Sequence, residues 1–291
     1  MDSRHLRLRP VLPALLMPFA LLTLLPACGK KEAPKADAKS PWAVTLLEPG
    51  AKPRSLLAYD LKGWKGGTAE MEMTVAMGAM SPPPTQTVVR YDRAEETADG
   101  DLRVAFAVER TTMGGKEVPK STGLDMKGFT VFSPAGRIRD VQVELPENAP
   151  PMVKQVVQSL RDSMRRAVMP VPDEPVGIGG RWEMFVPVEV MGLQMTSTAT
   201  YRLEERTGEK GTIHVDMVFQ GSGELKAPGT SEAVGKLESM QGKGSGTLKF
   251  DLRSPIAALD LDMELNMRLA IGKTEPMSQS MKMKMTLKPG T

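Results

Sequence analysis

Cys28 is the one thiol in this 291-residue chain, and His5 and His214 are its two imidazoles. That scarcity removes most catalytic chemistries at once. A zinc centre needs several His, Cys or carboxylate ligands at suitable spacing, and no such set can be assembled here. A Ser–His–Asp hydrolase would have to use His214 as its base, yet the chain has no Gly-x-Ser-x-Gly elbow to present a nucleophile. His214 alternates with Asp216 on one face of an expected strand, as Asp260 does with Asp262, and such spacing reads as a solvated polar face. The glycine clusters at 63–67 and 177–180 lack the spacing and following helix of a phosphate-binding loop. Met281, Met283 and Met285 fall on one side of a strand, where soft thioethers could hold copper(I). A core strand written in methionine has the same pattern. The chain is therefore read as non-catalytic, with no cofactor and no metal; an enzyme or a copper(I) protein is the remote alternative.

Cys28 points to a different chemistry. Arg4, Arg7 and Arg9 precede an uncharged run from Val11 to Leu25, interrupted by Pro13 and Pro18. Fifteen residues are short for a membrane span, so residues 1–27 read as a leader that is removed. The ending Leu25-Pro26-Ala27-Cys28 resembles the signal peptides of bacterial lipoproteins. That resemblance implies an acylated Cys28 as the mature N-terminus, with diacylglyceryl and a further acyl chain such as palmitate. Gly29, where Asp would favour the inner membrane, implies the outer membrane and a periplasm-facing body. Residues 28–41 are Lys, Ala and Pro without apolar periodicity, hence a solvated tether.

Removal of the leader leaves 264 of the 291 residues and lowers the net charge from +3 to +1, because three Arg and one Asp depart. Such balance gives no basic footprint for nucleic acid. With no second cysteine there is no disulfide, and stability must come from a packed core. Methionine is abundant, 22 residues against 4% aromatic, and it fills irregular apolar space.

The elements that position these residues are strands. Met71, Met73, Val75 and Met77 alternate with Glu70, Glu72 and Thr74. Met184, Val186, Val188 and Val190 share one face, as do Leu259, Leu261, Met263, Leu265 and Met267, set against Asp260, Asp262, Glu264 and Asn266. Period two with one wet face is antiparallel sheet behaviour. Features also recur in order: Gly66-Gly67 and Gly179-Gly180, Tyr91 and Tyr201, Gly100 and Gly211, Ser133-Pro134 and Ser254-Pro255, at offsets of 113, 110, 111 and 121 residues. Two related β repeats follow, residues 42–146 and 170–291, with Met80 to Pro84 and a Gly/Ser-rich stretch near 221–246 as lengthening insertions. From Pro150 to Val168 the period changes to helical, with Met152, Val156, Leu160 and Met164 in one arc. A connecting helix is expected over 147–169.

The expected fold is mainly β: an open or closed antiparallel barrel or half-barrel of about a dozen strands, with the amphipathic helix on its concave side. Met71, Met73, Val75, Met184, Val186, Met195, Met217, Met263, Met267, Val156, Leu160 and Met164 are the candidate lining of a cavity between sheet and helix. With the leader, the Gly179-Gly180-Arg181-Trp182 strand start after Pro172-Asp173-Glu174-Pro175-Val176, and the duplicated sheet, the chain resembles a family of uncharacterised bacterial lipoproteins carrying a domain of unknown function. Its architecture is similar to the half-barrels of periplasmic lipoprotein carriers, which hold acyl chains. The resemblance implies a membrane-anchored envelope protein that binds a lipid or other hydrophobic ligand. The alternative is a structural or interaction lipoprotein with a filled core. The sequence names no protein partner.

Overall fold

The computed structural model describes residues 43–78, 80–118, 126–144, 169–190, 193–226, 233–271 and 275–290. Alternating segments become fourteen antiparallel strands of one sheet. After β1 (Ala43–Glu48) comes a first meander: β2 (Gly67–Met77), β3 (Thr85–Tyr91), β5 (Leu102–Met113), β7 (Lys127–Phe132) and β8 (Ile138–Val143). Two short strands, β4 (Glu95–Glu96) and β6 (Lys116–Glu117), pair with β5. The second meander is longer: β9 (Arg181–Val190), β10 (Leu193–Thr207), β11 (Lys210–Lys226), β12 (Ala233–Asp251), β13 (Ala258–Ile271) and β14 (Met277–Pro289). β14 pairs with β2 and fuses the meanders, giving the order β1-β9-β10-β11-β12-β13-β14-β2-β3-β5-β7-β8.

This corrects the expected barrel or half-barrel with a helix on its concave side. The sheet ends at β1 and β8, which do not pair with each other, and no helix occurs among the described residues. Residues 145–168, where the connecting helix was placed, lie outside them. Between the two sheet ends run the segments 49–61 and 169–180, which contain Pro49, Pro53, Pro170, Pro172 and Pro175. Proline has no N–H to give a ladder, so the ends are tied by scattered bonds. Tyr59 N–H donates to Pro134 O at 2.7 Å, Val171 N–H to Ala135 O at 3.1 Å, and Ala51 N–H to Ile178 O at 2.8 Å.

The recurring motifs land unevenly. Gly66 and Gly179 both precede a strand with positive φ, and Ser133-Pro134 and Ser254-Pro255 both lie in hairpin turns. Tyr91, however, ends β3 while Tyr201 is inside β10, and Gly211 is in a strand where Gly100 is in a turn. The Gly/Ser-rich stretch read as an insertion is mostly β12, the longest strand at 19 residues.

The inner face is the apolar one. Trp182, Phe132, Phe219, Leu203, Ile213 and Leu265 are fully buried there, in a single hydrophobic cluster that draws on both meanders and on Leu57, Tyr59 and Leu61 of the connector. Tyr59 meets Phe132 edge-on with ring centroids 5.7 Å apart, a favoured aromatic geometry.

Tyr59 and Tyr201 are buried and Tyr91 is half-buried, and in each the desolvation of the phenol changes its titration. Desolvation pushes the Tyr91 phenol up to about 12 and also raises Tyr59 and Tyr201 above the usual phenol range. The neutral, protonated phenol is the form the fold favours. An unfolded chain releases these protons near pH 10, so their contribution is whole below that pH and is lost as pH climbs through about 12. Absorbance at 295 nm is expected to show no phenolate in the native protein at a pH where the guanidinium-unfolded chain is already half ionised. Coincident titration curves would contradict this burial.

Candidate functional site: a groove on the polar face

Directly paired residues of an antiparallel ladder project to the same face, so the register writes the surface. One row runs Thr74, Lys284, Asp262, Ser245, Asp216 across β2, β14, β13, β12 and β11. Two positions along each strand, a second row runs Ala76, Lys282, Glu264, Lys243, Val218. Between them the row Val75, Met283, Met263, Gly244, Met217 turns its side chains to the core and leaves its backbone as a floor. These three rows line a groove of about 1040 Å³, with Ser81, Pro82, Pro83 and Pro84 as its overhanging rim. That is the upper end of small-molecule site volumes.

The rim is held in place. Met77 and Met80 exchange backbone hydrogen bonds at 2.7 and 2.9 Å, and Gly114 N–H donates to Pro84 O at 2.9 Å. Gly114 must stay small, because a Cβ there would lie 2.9 Å from the Pro83 ring and its φ is +58°.

The charges in the groove fall into two sets. Lys284 Nζ lies 3.2 Å from Asp260 and 3.7 Å from Asp262. The hydrogen bond and charge of Asp260, then the charge of Asp262, hold its ammonium above the ordinary lysine range. In the second row Lys243, Glu264 and Lys282 are register neighbours, yet among the described residues no ion pair within 4.0 Å joins them. These two exposed cations, which line the same groove as Pro82, Pro83 and Pro84, are thus open to an incoming group.

His214, Asp216 and Ser245 do come together at the groove margin. Asp216 Oδ1 lies 3.1 Å from His214 Nε2, and Ser245 Oγ lies 3.3 Å from that same nitrogen and 3.1 Å from Asp216 Oδ1. A hydrolytic triad needs the serine and the carboxylate on opposite ring nitrogens. Here both sit on one, so the trio is a surface polar cluster.

The expected cavity lining is distributed differently. Met73, Met184, Val186, Met195 and Met263 are buried, and Met71, Val75, Met217 and Met267 are half-buried against the same core cluster. Val156, Leu160 and Met164, like Cys28, lie outside the described residues. Met281, Met283 and Met285 are 3–4% exposed within the core. No group of three or more His, Cys, Asp or Glu able to hold a metal occurs among the described residues.

Sequence reasoning missed the groove. Lys243 falls in the stretch read as an insertion, and Pro82–Pro84 in the residues read as lengthening a hairpin. The available signal was Gly242-x-Gly244-x-Gly246, whose period of two marks a strand.

Residues 156–256 match a family of unknown function (DUF6263). No curated protein and no solved structure matches the chain. The match spans β9, β10, β11 and β12, and so includes the Lys243 side of the groove.

Proposed function

We propose that this chain is a non-catalytic envelope lipoprotein, anchored by an acylated Cys28, that binds an anionic amphiphile in the groove beneath the proline rim. Lipid is the expected ligand class. The binding place is moved from the interior to the polar face of the sheet. The observation that supports the reading is the pairing of two cations, Lys243 and Lys282, with an apolar wall of Pro82, Pro83 and Pro84 and exposed Val218. A carboxylate or phosphate headgroup would take the ammonium groups, and its chain would lie along the proline rings and lysine stems.

Reversing both charges, Lys243→Glu with Lys282→Glu, is expected to weaken binding of a fluorescent fatty acid about tenfold, or about 1.4 kcal/mol. Each new carboxylate lies directly opposite Glu264 and is expected to cost up to about 1 kcal/mol of stability. Lys243→Gln with Lys282→Gln, which adds no like charge to these exposed positions, is the control that should leave stability unchanged. An unchanged dissociation constant would reject the groove as the site. A second reading, an interaction lipoprotein without ligand, draws support from the burial of the methionines in a common core. Native mass spectrometry of the protein released from membranes separates the two: co-purified lipid favours the first reading, bare protein the second.

A further inference from the structure

The inner apolar face does not stop where the core stops. Along β13 exposure rises from 1% at Leu265, through half-buried Met267 and Leu269, to 45% at Ile271. Along β14, read backwards, the same face runs from Met281, 3% exposed, through half-buried Gln279 to Met277, 59% exposed. The paired register carries the same face to Gly235 of β12, opposite Ile271. Val234, 43% exposed, stands beside it at the strand's end, where an extra residue interrupts the pairing with β11. Met80, 60% exposed, follows the nearby end of β2, where Gly78 N–H donates to Ser280 O at 3.2 Å. Val234, Ile271, Met277 and Met80 thus form a lip at one end of the sheet.

The anchored end of the chain arrives from the same side. β1 pairs Ala43 with Phe185 and Glu48 with Arg181, so it runs away from the lip and its first residue is the one nearest it. Between Cys28 and Ala43 lie only 14 residues, a reach of at most about 50 Å when fully extended. Leu47, Leu56 and Ile178 are also exposed, but they lie toward the opposite end and do not continue the inner face.

We propose that this lip seats on the bilayer that holds the Cys28 anchor, turning a loosely tethered body into one of fixed orientation. The proposal rests on the anchoring reading of Cys28. A lipid surface suits a rim of aliphatic side chains that protrude from a strand end and continue an apolar face.

Because Cys28 is the only cysteine, its acylation leaves no competing thiol in the full chain, and a single engineered cysteine can be labelled. The N-terminal peptide mass and thiol count of the parent protein come first: a free thiol at residue 28 removes the anchor and the proposal with it. With acylation established, Met277→Cys is coupled to an environment-sensitive fluorophore in vesicles of phosphatidylethanolamine and phosphatidylglycerol. Quenching by spin-labelled lipid is expected to be at least about threefold stronger than at Leu56→Cys. Ile271→Cys gives the same reading if Met277→Cys fails to fold. Equal quenching at the two ends overturns the lip contact while leaving the anchor intact. A shielded label that spin-labelled lipid does not reach also overturns it, in favour of a protein cover.

Discussion

Trp182→Ala is expected to lose about 3–5 kcal/mol of stability, the range for truncating a large buried aromatic. Domains of this kind hold roughly 5–15 kcal/mol in total, so the variant should unfold at a markedly lower urea concentration with an unchanged slope. Trp182 is wholly buried at the start of β9. Its indole stacks on Tyr201 of β10, centroids 5.7 Å apart and planes 11° from parallel. Its Nε1–H donates to Pro170 O at 3.0 Å, which ties the second meander to the segment bridging the sheet ends. Trp182→Phe separates the two roles: it keeps an aromatic ring, drops the donor, and leaves a buried carbonyl short of a partner, at about 1–3 kcal/mol. A loss under about 1 kcal/mol for the alanine variant would mean that this corner does not stabilise the fold.

Trp182 also shows what the sequence makes legible. Alternation identifies its strand and its inward face, since Trp182, Met184 and Val186 obey period two and are all buried. The same rule places Leu261, Met263 and Leu265 inward, with Asp260 and Asp262 outward. Pairing partners are another matter. That β14 closes onto β2 rather than ending an edge is a contact between positions more than 190 apart in number, such as Met77 and Met281, and no local pattern encodes it. The groove depends wholly on such pairings, because Lys282 faces Lys243 only through Glu264 of the strand between them.

Glycine misled for a physical reason. Gly242, Gly244 and Gly246 look like a flexible insertion, yet each sits on the inner face opposite a bulky partner. A Cβ at Gly242 would come 2.3 Å from Leu265 Cδ2, and one at Gly244 would come 2.8 Å from Met263 Cγ. The missing side chains are the space that large neighbours occupy, and close packing makes such gaps specific. The expected barrel failed on a related point. Strand count left an open or closed barrel or half-barrel, whereas proline placement in the bridging segments decides whether two sheet ends can share a ladder.

Gly177→Ala tests that bridge and is expected to cost about 3 kcal/mol, at the upper end for overpacking. A Cβ at Gly177 would fall 1.8 Å from Ala51 O and 3.0 Å from Pro53 O, so one backbone must withdraw by more than an ångström. Withdrawal would strain the Gly177 N–H bond to Pro49 O at 2.9 Å and the Ser55–Val176 pair at 2.9 and 3.1 Å. The adjacent control is Gly179→Ala. That position has φ of +78° but no atom within 4 Å of a new Cβ, so only backbone strain applies, about 1 kcal/mol. Thermal and urea unfolding of the two variants should therefore rank Gly177→Ala well below Gly179→Ala. Equal losses would show that crowding at the crossing of residues 49–55 and 176–178 adds nothing to backbone preference. The sheet ends would then be held by the core and not by the bridge.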